Sequence, residues 1–115
     1  MALLDRVTEH GAVAPLLWPL ETANGLLMAE RRGRVDAVRR KRLAKLLQDL
    51  PITLDTESAA RAWTAVSGLA TKFRLTVYDA CYLELAQRRT LPLATLDRSL
   101  RAAGHALGIT LFGEP

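Results

Sequence analysis

Apolar positions recur along the chain in two rhythms, one near every third or fourth residue and one in short unbroken runs. Residues 2–10 read as a short helix, and Ala12-Val13-Ala14 as a brief strand closed by Pro15. Pro19 suits the first turn of a helix, where its missing N–H costs nothing. Leu20, Ala23 and Leu27 carry that helix to about Arg32, and Gly33 ends it. A second helix begins near Val35 with the stripe Val38, Leu43, Leu46, Leu47 and Leu50, and Pro51 stops it. Ile52-Thr53-Leu54 is a strand candidate. Thr56 then reads as the N-cap of a long amphipathic helix whose inner face is Ala59, Ala62, Trp63, Val66, Leu69, Ala70 and Phe73. Thr76 and Asp79, three apart, resemble a capping box opening a helix that runs to about Arg88. The apolar run Leu91–Leu96 is the mark of a strand buried on both faces of a parallel sheet. Asp97 ends it and can cap a helix with the inner face Leu100, Ala103 and Leu107. After Gly108, Ile109–Phe112 is a last strand. Strands alternating with helices imply an α/β sandwich with a mostly parallel sheet.

At 115 residues the chain suits one domain spanning 1–115. Half of it is apolar and about a quarter charged, which excludes a disordered chain. No run approaches the roughly 20 apolar residues of a membrane span, and the first residues lack the layout of a secretory signal. A cytoplasmic location is the expectation. The single cysteine, Cys81, excludes an internal disulfide and a cysteine-based zinc site. It lies in an apolar helical run, where a buried, inert thiol is expected. The net charge of +4 is unevenly spread. Arg31, Arg32 and Arg34 precede Arg39, Arg40, Lys41 and Arg42, a segment that suits either a solvated helix face or contact with nucleic acid.

The candidate chemistry is acidic. Ligands of open parallel sheets bind beyond the carboxyl ends of the strands, and Asp97 stands at such an end. Asp79 lies in the first turn of a helix after a short loop. Glu21 lies in the first turn of the Pro19 helix, with Asn24 one turn on. Each acid has a plain structural role, since carboxylates are favoured at helix starts. Together they form a set that suits magnesium, which takes oxygen ligands and shares substrate phosphate oxygens. His10 and His105 lack metal-ligand spacing, and no serine sits in a nucleophile elbow.

Leu75-Thr76-Val77-Tyr78-Asp79-Ala80-Cys81-Tyr82-Leu83-Glu84-Leu85-Ala86 resembles the central motif of PIN-domain ribonucleases of the bacterial VapC toxin type. Leu91-Pro92-Leu93-Ala94-Thr95-Leu96-Asp97 is similar to the strand that follows it, and Val13 through Asn24 to the family's second strand and glutamate helix. The likeness covers nearly the whole chain in order. It implies a three-layer α/β sandwich and a Mg2+- or Mn2+-dependent endoribonuclease. Glu21, Asp79 and Asp97 match the acidic metal ligands, and Thr95 a supporting hydroxyl. Asn24 follows the glutamate as in many relatives. The resemblance also implies an RNA substrate, a homodimer and a cognate antitoxin that covers the active site.

Relatives open on a strand that ends in an aspartate, and residues 1–115 contain no match to it. Asp5 falls in the helix that follows that strand. The expectation is therefore an acidic site short of one carboxylate and a sheet short of one central strand. Three explanations compete: an opening cut short or misassigned, a strand supplied by another chain, or a decayed copy; the first is preferred. Two other functions stand beside the ribonuclease: a protein that binds antitoxin or RNA without cleaving, and a structural helical protein whose acids are only caps.

Overall fold

A computed structural model describes residues 3–113. The chain is α/β. Its elements are α1 (Leu3–His10), β1 (Ala12–Pro15), α2 (Trp18–Arg31), α3 (Ala37–Gln48), β2 (Ile52–Asp55), α4 (Glu57–Ala60), α5 (Ser67–Phe73), α6 (Val77–Arg89), β3 (Leu93–Ala94), α7 (Arg98–Ala106) and β4 (Leu111–Phe112). The expected start of the first helix at Ala2 lies outside the described residues. Two compact units divide the chain, one of residues 1–13 and 17–53, the other of 14–16 and 54–115. Among the described residues no helix is long and apolar enough to cross a membrane.

In the first unit α2 packs on α3. Pro19 sits in the opening turn of α2, and Gly33 follows its end with φ 73°. Asp36 caps α3 by accepting from Arg39 N at 2.7 Å. The expected stripe of α3 is only partly used, since Val38 and Leu46 are exposed while Leu43, Leu47 and Leu50 are half-buried. Gly11 lets the chain enter β1 against the Pro51 carbonyl; a Cβ there would stand 3.1 Å from that oxygen, and its φ is +74°.

The second unit is built on α6. Leu83, Ala86, Leu93, Leu100 and Ala103 form its buried cluster, with Leu69, Phe73, Leu107, Ile109 and Leu111 packed against it. β3 and β4 run parallel, Leu93 opposite Leu111 and Ala94 opposite Phe112. Gly104 of α7 is buried under them. A Cβ on it would lie 2.9 Å from Leu111 Cδ2 and 3.4 Å from Leu93 Cδ2.

The strands form two small pairs, β1 with β2 and β3 with β4, and the parallel β3–β4 pair agrees with the expected α/β fold. Finer expectations are corrected. The strand expected over Leu91–Leu96 is only Leu93–Ala94, and Leu93 alone is buried while Leu91, Ala94 and Leu96 are exposed. A ladder extends only as far as a neighbour bonds to it, and β4 supplies two residues. The helix expected from Thr56 to Phe73 is broken. Residues Ala62–Val66 form a π-helical turn between α4 and α5, and Ser67 Oγ donates back to the Ala62 carbonyl. The extra residue in that turn rotates the faces before and after it. Val66 is fully buried, and Trp63, assigned to the inner face, is 92% exposed. Thr56 makes no capping bond; the neighbouring Asp55 caps instead, accepting from Ser58 N at 3.0 Å.

Candidate active site

Asp97 is the best-defined of the candidate acids. It is the N-cap of α7 in extended conformation, and its Oδ2 accepts from Leu100 N at 2.9 Å. Its own N–H donates to Thr95 Oγ1 at 3.1 Å. The Thr95 hydroxyl thus braces the turn that presents the acid. Capping occupies Oδ2 and leaves Oδ1 available to a ligand. The exposed carboxylate stands at the N-terminal, positive end of the α7 dipole.

Asp79 is the third residue of α6. Thr76 caps that helix, accepting from Asp79 N at 3.1 Å. The cap satisfies the backbone, so the half-buried Asp79 carboxylate is not needed for it. Asp79 and Asp97 therefore each open a helix within the second unit. Glu21 and Asn24 belong to the first unit. Both are exposed, and Glu21 lies in the first turn of α2 with its N–H bonded to the Leu17 carbonyl at 2.9 Å.

These acids have the hard oxygen donors that Mg2+ or Mn2+ prefers. Among the described residues, however, no three His, Cys, Asp or Glu side chains converge to hold a metal ion.

The densest acidic cluster lies elsewhere and was not foreseen. Asp55, Ser58 and Glu84 are buried around the guanidinium of Arg88. Arg88 Nη2 donates to Asp55 Oδ2 and Nε to Glu84 Oε1, both at 2.7 Å. Ser58 Oγ donates to Asp55 Oδ2 at 3.1 Å and lies 3.2 Å from Glu84 Oε2. Glu57, on the exposed rim, accepts from Arg88 Nη1 at 2.7 Å. Burial pushes the Asp55 carboxyl up, but the bonds from Arg88 and Ser58 outweigh it and hold the pKa below the usual carboxylate range. Bonds from Glu84 and Asp55 push the Arg88 pKa up in turn, against its burial. The guanidinium already supplies the counter-charge, so this cluster fastens α6 to the end of β2 and the start of α4 and leaves no vacancy for a metal. The Glu84–Arg88 spacing of four on α6 was the sequence signal for it.

The basic segment is mostly solvent-facing. Arg39, Lys41 and Arg42 of α3 are exposed, as are Arg31, Arg32 and Arg34. Arg40 is half-buried and pairs with Glu30 of α2, so its charge is neutralised inside the unit.

Against known families, a model described as PIN domain matches residues 2–106. No curated protein matches the chain.

Proposed function

Because the chain belongs to the PIN domain family, we propose that it is a divalent-metal-dependent endoribonuclease of the VapC toxin kind. PIN domains are generally nucleases and typically use divalent metal ions. The observation that carries the proposal is the pair of acids that open α6 and α7, Asp79 and Asp97, standing in the motifs that resemble that group. In this reading Asp79, Asp97 and Glu21 are the acids that would serve an ion, Mg2+ or Mn2+, in cleaving the phosphodiester. Thr95 and the α7 cap hold Asp97 in place. Asn24 stands beside Glu21.

A bound ion would supply charge neutralisation and an activated water. No three acids converge among the described residues, so in this reading the ion would be held jointly by the acids and the RNA phosphate oxygens. The exposed cations Arg39, Lys41 and Arg42, with Arg31, Arg32 and Arg34 before them, would hold RNA phosphates, and such binding weakens steeply with salt. A homodimer, a cognate antitoxin over the acidic site and a cytoplasmic setting complete the proposal.

A second reading is binding of RNA or antitoxin without cleavage, favoured by the exposed cations Arg39, Lys41 and Arg42. The experiment that separates them measures cleavage of labelled RNA with Mg2+ or Mn2+, by residues 1–115 and by a form extended at its N-terminus with an aspartate-ending strand. Cleavage by the extended form that Asp79→Asn removes supports the nuclease. An inert extended form that still retards RNA in a gel supports the binding protein and overturns the nuclease.

A further inference from the structure

We propose that Arg101 is a positioning residue of the acidic site, a clamp that sets where Asp97 stands. The inference deepens the nuclease reading and rests on it. Arg101 is in the first turns of α7, four residues after Asp97, and its N–H donates to the Asp97 carbonyl at 2.9 Å. Its side chain does something no helix requires. Nη1 donates to the carbonyls of Thr95 at 2.8 Å, Phe112 at 3.1 Å and Gly113 at 3.3 Å. Those three oxygens lie at the carboxyl ends of β3 and β4, where the ladder closes with Thr95 N donating to Phe112 O at 3.3 Å. One guanidinium edge therefore ties the two strand ends together next to the turn that carries Asp97.

The backbone is shaped to allow this. Gly113 has a φ of +101°, and a Cβ on it would stand 3.1 Å from Thr95 O and 3.6 Å from Arg101 Nη1. A side chain there would be strained and would press on the clamp. The bonds then run in series: Arg101 holds the Thr95 carbonyl, the Thr95 hydroxyl holds the Asp97 N–H, and the Asp97 carboxylate holds the Leu100 N–H. Among the described residues Arg101 forms no ion pair with Asp97. Its charge is directed at backbone carbonyls, so it orients the acid without neutralising it. That is the arrangement a site needs when its carboxylate must stay free for a cation or a phosphodiester.

The test compares Arg101→Met, which keeps the aliphatic stem, with Arg101→Lys, which keeps a donor and the charge, and with Asp97→Asn. Two readouts are taken: RNA cleavage with kcat and KM separated, and amide exchange by NMR at Thr95, Asp97 and Leu100. Arg101→Met is expected to lower kcat roughly 10- to 100-fold with KM unchanged. It should also speed exchange at those amides while leaving the amides of α6 protected. Arg101→Lys should recover part of both effects. Wild-type exchange at Leu100 in Arg101→Met overturns the clamp, whether or not RNA is cleaved. So does a loss of activity that follows the melting temperature and is equal in the Lys variant. Absence of metal-dependent cleavage in the unmutated protein overturns the nuclease reading itself, and full cleavage by Asp97→Asn overturns the place of Asp97 in it; an inactive Asp97→Asn beside a fully active Arg101→Met overturns only the role of Arg101.

Discussion

Replacing Arg88 by Met removes the central cation of a buried acidic cluster and leaves Glu84 with only the exposed Arg61, 3.6 Å away. The Arg88 side chain is 15% exposed, and those of Asp55 and Glu84 are 6% and 3% exposed. Solvent therefore cannot take over the role of the guanidinium. Removing one partner of a buried ion pair costs about 3–5 kcal/mol, because the other charge stays buried without compensation. A small domain has about 5–15 kcal/mol of stability in all, so the variant is expected to be marginal at neutral pH. Glu57 adds little, since its side chain is 61% exposed. The pH dependence identifies the cause. In the native chain the Asp55 pKa is held down, so its contribution is present above the ordinary carboxylate value of about 4 and fades as pH falls through the lowered one. Without Arg88 burial prevails and the Asp55 pKa rises above that ordinary value. The variant then loses stability as pH rises from the unfolded value through the raised one. Urea melts followed by circular dichroism at pH 5 and pH 7.5 measure both. The native chain should hold its stability between these pH values, while Arg88→Met should be weaker at 7.5 than at 5. Adding Asp55→Asn and Glu84→Gln to Arg88→Met should return a large part of the loss at pH 7.5. A variant within about 1 kcal/mol of the native chain at both pH values would refute the reasoning, as that is the range of an exposed pair.

Gly104→Ala forces a methyl group to 2.9 Å from Leu111 Cδ2; thermal melts should show a loss of about 1–3 kcal/mol, the usual cost of overpacking. Asp97→Ala removes the α7 cap and should cost about 0.5–2 kcal/mol, whereas Asp97→Asn keeps a capping oxygen and should melt close to the native chain. Trp63→Ala, at a side chain 92% exposed, should change stability by no more than about 0.5 kcal/mol; a loss several times larger in urea melts would place Trp63 back in the core. Replacing Arg39, Lys41 and Arg42 by Gln should weaken RNA retention and flatten its salt dependence, while Arg40→Gln should mainly lower stability through its pair with Glu30.

Most of the fold was legible because its signals were local. Pro19, Gly33, Pro51, Thr76 and Asp97 punctuate the chain, and the helices they bound were placed to within a few residues. The π-helical turn was not legible. Ala62, Val66, Leu69, Ala70 and Phe73 keep helical spacing whether or not an extra residue is looped out, and only packing reveals that Trp63 leaves the face. Thr56 and Asp55 are both competent caps side by side. Asp55 takes the role because the same carboxylate is bonded to Arg88, a residue 33 positions away. The candidate acids were read from residue types in motifs, and the structure adds that Asp79 and Asp97 open consecutive helices. The clamp by Arg101 was invisible, since its acceptors are backbone carbonyls and carry no mark of residue type.

The central claim is that the acids opening α6 and α7 serve RNA cleavage. The most direct measurement is the rate of RNA hydrolysis, as Mg2+ or Mn2+ is titrated in, by the chain carrying an aspartate-ending strand and by its Asp79→Asn and Asp97→Asn forms, with folding checked by circular dichroism. The account predicts cleavage that requires the ion and is lost in both variants while their spectra stay native. Cleavage that persists in both folded variants, or is indifferent to a chelator, would contradict it.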